Sequence, residues 1–69
     1  MKIKIGDTVL IKIKEHNYTM LDEYRINDIR GQIYLGNLVK RADGSPGKYQ
    51  LKEITREMIV KIIKSNLGT

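Results

Sequence analysis

Residues 7–14 read Asp-Thr-Val-Leu-Ile-Lys-Ile-Lys. Apolar side chains recur at Val9, Ile11 and Ile13, and Thr8, Lys12 and Lys14 fall between them. A period of two sends successive side chains to opposite faces of an extended chain. The segment therefore predicts a half-buried strand. Leu10 departs from the pattern, because it sits on the lysine side. Ile3 and Ile5 share the inward parity, so the strand is expected to begin before Gly6. Gly6-Asp7 is then a bulge or kink, where glycine tolerates unusual backbone angles. On this reading Lys2, Lys4, Lys12 and Lys14 form one row of cations on the outward face.

The segment 15–24, Glu-His-Asn-Tyr-Thr-Met-Leu-Asp-Glu-Tyr, follows neither the strand nor the helix period cleanly. It is read as a long loop, with Met20 and Leu21 tucked beneath it. Residues 25–30 lead from it to Ile33 and Leu35, which carry strand character, extended by Leu38 and Val39. Gly31 and Gly36 flank that short strand, and Gly36-Asn37 suits a tight turn or bulge. Residues 43–47, Asp-Gly-Ser-Pro-Gly, concentrate turn formers. They are expected to join a strand at 38–41 to one at 48–54 as a hairpin. In the tail, Ile54, Met58, Ile59, Ile62 and Ile63 share one helical face, with Thr55 as cap and Gly68 as stop. The β-branched run Ile59–Ile63 favours an alternative, a single helical turn at 55–58 followed by a strand at 59–64.

A chain of 69 residues makes one domain, taken as 1–69. A domain of this size hides only about 60% of the surface its unfolded chain exposes, which leaves a thin core and little space for a deep pocket. There is no cysteine, so neither disulfides nor thiolate-held zinc reinforce the fold. The charged, alternating start is unlike a secretory leader, and no apolar run nears the roughly 20 residues that span a bilayer. A cytoplasmic protein without a membrane association is expected. Heavy use of Ile, Lys and Asn, with no Trp or Phe, suggests an AT-rich genome such as that of a low-GC bacterium, its phage or a plasmid.

The order of these features resembles small SH3-like barrels of the KOW and Tudor kind. Those often open on a Gly-Asp-x-Val strand, pass through a long loop, and resume at a Gly-x-hydrophobic strand. Gly6, Asp7, Val9, Gly31 and Ile33 match that pattern. The resemblance implies a mainly β single domain of about five strands with a short helical turn near the C-terminus. Residues 48–54, 55–58 and 59–63 would supply its last strands and turn. The alternative is a β-sheet capped by a C-terminal helix. Tyr18, Tyr24, Tyr34 and Tyr49 are spread along the chain rather than crowded as in a Tudor cage.

Chemistry for catalysis is sparse. His16 is the one histidine, and no nucleophile–base spacing stands out. Calcium-loop and phosphate-loop patterns are missing, so no enzyme activity, metal or cofactor is expected. A net charge of +5 favours anionic partners. The leading expectation is a binding module that contacts nucleic acid. Lys12, Lys14, Lys40, Arg41 and Lys48 would meet phosphates, and Tyr18 and Tyr24 would stack on bases. Lysines on an exposed strand also keep edges from aggregating, which is the simpler account of the row. Tyr34 and Tyr49, inside expected strands, are read as core rather than as base platforms. The second expectation is a phage- or plasmid-type protein that binds a host protein as adaptor or inhibitor. Surplus apolar surface in the Ile-rich tail and at Leu10 also fits a homodimer.

Overall fold

The computed structural model describes residues 2–15, 18–41, 44, 46–47 and 51–65. It contains β1 (Thr8–Glu15), β2 (Tyr18–Arg30), β3 (Ile33–Lys40), β4 (Leu51–Thr55), a single 3-10 turn at Arg56–Met58, and β5 (Ile59–Lys64). The strands form one antiparallel sheet in the order β4-β3-β2-β1-β5. The fold is thus mainly β, with five strands and one short helical turn, as the sequence suggested. In the tail it is the turn-plus-strand alternative that forms, and not the helix.

The alternation in β1 holds from Val9 to Lys14. Thr8, expected to face water, is only 6% exposed, with the longer Arg25 and Lys64 as its register partners on either side. Val9 and Ile11 are buried, Ile13 packs half-buried against the core, and Lys12 and Lys14 face solvent. The inward side chains of the other strands meet them. Tyr24 and Ile26 come from β2, Leu38 from β3, Ile54 from β4 and Ile59 from β5, and Ile3 adds itself from the segment before β1. Edge strands β4 and β5 both feed this one cluster, so the sheet curls around a single core.

Four other expectations need correction. First, residues 15–24 are not a long loop. β1 and β2 pair in register from Thr8↔Arg25 to Glu15↔Tyr18, so the two strands form a hairpin. The strand was hidden because Asp22 takes an inward position and Leu21 an outward one, 43% exposed. The parity then slips again near Asn27, where β2 bulges between its Ile26 and Asp28 pairings. Leu21 accordingly is not tucked beneath anything.

Second, β1 begins at Thr8, and Ile5 stands 53% exposed. A turn separates Ile3 from the strand. The Asp7 carboxylate accepts a hydrogen bond from the Lys4 N–H at 2.9 Å. The Asp7 N–H donates to the Lys4 carbonyl at 3.1 Å. Gly6 adopts φ 96° here, a backbone state that other residues reach only with strain. The turn is stitched to β2, because Gly6 N–H donates to the Ile26 carbonyl and Ile26 N–H to the Asp7 carbonyl, both at 2.8 Å. The lysine row is therefore broken: Lys2 and Lys4 precede the turn, and only Lys12 and Lys14 lie in the strand.

Third, Gly36-Asn37 is not a turn but lies within β3, which runs unbroken from Ile33, and the extra residue of the bulge at this level is Asn27 on the facing β2. Gly36 is there because Tyr24 on one side and Ile54 on the other leave no space for a side chain. Fourth, Tyr24 is only 2% exposed and belongs to the core, so its ring is closed to a base. The expected β3–β4 hairpin does form, in the register Ile33↔Thr55 to Asn37↔Leu51. Lys40 bridges to Pro46, and Gly47 N–H donates to the Val39 carbonyl at 2.8 Å. Residues 48–50, the expected start of the second strand, lie outside the described residues.

Candidate functional site

Strand pairing assigns each charged side chain to a face, because directly opposed residues share one. The face away from the core carries Leu10, Lys12 and Lys14 from β1. β2 adds Thr19, Leu21, Glu23 and Arg25, paired with Lys14, Lys12, Leu10 and Thr8 respectively. β5 adds Lys61 opposite Leu10 and Lys64 opposite Thr8. Lys40 joins from β3, opposite Glu23. Lys12, Lys14, Lys40, Lys61, Lys64 and Arg25 are all exposed.

Lys12 and Lys14 are thus neighbours on one face, roughly 7 Å apart along the strand. β5 sets Lys61 opposite Leu10 and Lys64 opposite Thr8, one strand over on the same face, so the cations are spread along that face from Lys14 to Lys64. The sequence did not single out those two lysines or Arg25, and it carried no local signal for them. Their grouping depends on the pairing of the last strand with the first. The basic field is interrupted at one point. Glu23, half-buried, sits between Leu10 and Lys40 in the cross-strand row, so Lys40 belongs to a mixed rather than a purely positive area.

The other expected contacts are placed as follows. Arg41 is exposed and directly follows the end of β3, where its charge acts on the Tyr24 hydroxyl. Burial pushes the Tyr24 hydroxyl above the usual phenol range, Asp22 adds to that push and Arg41 opposes it. Tyr18 is the first residue of β2, opposite Glu15. Lys48, like His16 and Tyr49, lies outside the described residues. Tyr34 packs half-buried against the core. Arg30 is engaged locally, with its Nε 3.1 Å from an Asp28 carboxylate oxygen. That contact, with the Ile29 N–H, holds the Asp28 carboxyl below the usual range.

Two open clefts interrupt the surface. One, of about 570 Å³, lies between the β2–β3 turn and the 3-10 turn and is lined in part by Gln32, Tyr34, Arg56 and Glu57. Arg30 and Ile33, which bracket the β2–β3 turn, are at the far end of the hairpins from Lys14. The other, of about 310 Å³, lies at Thr8. Among the described residues no group of three or more His, Cys, Asp or Glu side chains could hold a metal ion. No helix among them is long and apolar enough to cross a membrane. Comparison with models of protein families, with curated proteins and with solved structures finds no match. The chemistry of the surface alone therefore carries the functional reading.

Proposed function

We propose that this chain is an SH3-like small barrel that binds nucleic acid, without catalysis, through the outward face of β1 and β5. Two features support the barrel. β5 returns to pair with β1, and one 3-10 turn links β4 to β5. The observation that carries the binding reading is the placement of exposed Lys12, Lys14, Lys61 and Lys64 on one face of two adjacent strands. Recognition on such a face is mainly electrostatic. Lysine is a point charge without the planar fork that reads base edges, so little sequence preference is expected. Tyr24 is withdrawn from the proposed contacts. Lys40 remains at the margin of the surface, and exposed Arg41 follows it in the chain.

The test is fluorescence anisotropy with single- and double-stranded oligonucleotides across a salt series. Changing Lys12→Gln and Lys14→Gln together should weaken binding and flatten the salt dependence by about two phosphates' worth, because each contact releases condensed counterions. Absence of binding at low salt, or an unaltered slope in the double variant, removes the reading.

A second reading is favoured by apolar exposure. Leu51, Val60 and Ile63 on the two edge strands are 51%, 47% and 43% exposed, and Ile5 is 53% exposed. Such side chains suit a protein contact, as for a mobile-element protein that docks on a host factor in the cytoplasm, or a second copy of this chain. Sedimentation of the chain alone, and with nucleic acid, separates the two readings.

A further inference from the structure

The cleft at Thr8 stands apart from the Lys12–Lys14 pair. It is lined by Gly6, Thr8, Arg25, Lys64 and Ser65. Arg25 in β2 and Lys64 in β5 are both register partners of Thr8, one on each side. Two exposed cations therefore flank one threonine on the same face. Cross-strand neighbours stand about 5 Å apart at Cβ, so side chains as long as these can converge above Thr8. Neither forms an ion pair with a described residue.

Thr8 itself is only 6% exposed. It makes no side-chain hydrogen bond among the described residues. No fully enclosed polar side-chain atom among them lacks a partner, so the Thr8 hydroxyl is not sealed from solvent, and Thr8 lines the cleft. The turn below is fixed, with the Gly6 N–H committed to Ile26 and the Ile26 N–H to Asp7. Glu23, two residues from Arg25 on the same strand face, is paired with Leu10 and Lys40 and is not among the residues that line the cleft.

We infer that this cleft binds a phosphate group. An arginine fork grips two oxygens of a tetrahedral anion, an ammonium neutralises a second charge, and a hydroxyl donates to a remaining oxygen. A monoanionic carboxylate would use less of that charge. The cleft volume, about 310 Å³, accepts a phosphate with an attached sugar. The phosphate can belong to a nucleic-acid strand or to a small phosphorylated compound; Lys64 is shared with the proposed nucleic-acid face, whereas Lys12 and Lys14 lie outside the cleft.

The test is ¹⁵N-edited NMR of the full chain, titrated with inorganic phosphate against sodium chloride of equal ionic strength. Saturable shifts are expected at Gly6, Thr8, Arg25 and Ser65. Arg25→Gln with Lys64→Gln should weaken phosphate binding about tenfold or more, and Thr8→Val a few-fold, as expected when hydrogen bonds to a charged group are lost. The dispersion of the same spectra reports whether each variant is folded. Lys12→Gln with Lys14→Gln removes as much charge and should leave the phosphate shifts in place. The inference is overturned if phosphate shifts nothing beyond chloride, or if the two double variants weaken it equally. A 5′-phosphorylated trinucleotide, compared with its 5′-hydroxyl form, then identifies the source. Tighter binding than inorganic phosphate at the same amides points to nucleic acid. Equal binding points to a small phosphorylated compound. Loss of long-oligonucleotide binding in the Lys12/Lys14 variant with retained phosphate shifts would separate this site from the broader surface.

Discussion

Gly36 sits where β2, β3 and β4 meet, between Ile26 and Lys52 in the pairing. A Cβ at that position would lie 2.6 Å from Ile54 Cδ1 and 3.3 Å from Tyr24 Cβ. Ile54 is fully buried, so its methyl has nowhere to retreat without moving the core. Gly36→Ala should therefore destabilise the fold by about 1–3 kcal/mol through overpacking. A urea midpoint equal to that of the parent chain would contradict this. Tyr24 beside it sets a second expectation. Its hydroxyl keeps its proton more firmly in the folded chain than in the unfolded one. The stability this gives is intact below about pH 10, the ordinary phenol value, and is lost as pH rises through the higher native value. In thermal melts across that range the parent should lose stability relative to Tyr24→Phe as pH rises, since the variant has no such proton to lose.

At the scale of elements, β5 is the strand whose partner could not be read locally. It pairs Ile59 with Ile11 and Ile62 with Val9, and two bulges place Val60 and Ile63 outside that pairing. Ile59 is 7% exposed and Val60 47%. Ile59→Ala should cost about 2–5 kcal/mol, as for other large-to-small core changes. Val60→Ala should stay within about 0.5 kcal/mol, and the contrast is read from chemical denaturation. Similar losses at both positions would mean that β5 is not seated as described. The strands that sequence periodicity reveals are those with a consistent inward set. Val9, Ile11 and Ile13 do this for β1, and the turn formers at 43–47 mark the β3–β4 hairpin. β2 escaped because three departures coincide, namely Asp22 inward, Leu21 outward and the slip at Asn27. Gly36 misled for a different reason. Its glycine answers to a crowded neighbour rather than to a turn, and crowding is invisible before the strands are paired.

For the whole molecule, the sign of the charge was legible but its distribution was not. The net charge of +5 says nothing of where cations gather. That gathering arises when the last strand closes on the first, a contact between chain ends that no local pattern announces. Lys12 and Lys14 were visible as a pair, whereas Lys61, Lys64 and Arg25 joined them only through pairing. If Lys12, Lys14, Lys61 and Lys64 each neutralise a phosphate, duplex affinity should drop about a hundredfold between roughly 50 and 200 mM salt. The anisotropy series measures this slope directly, and a nearly flat response would assign the cations to solubility alone. The closing pair has a consequence of another kind. Thr8 and Lys64 are opposed residues, so β1 begins and β5 ends about one interstrand spacing apart. A short linker can bridge two strand ends set side by side, which suits the sheet to circular permutation so long as the segment that carries Ile3 stays packed on the core.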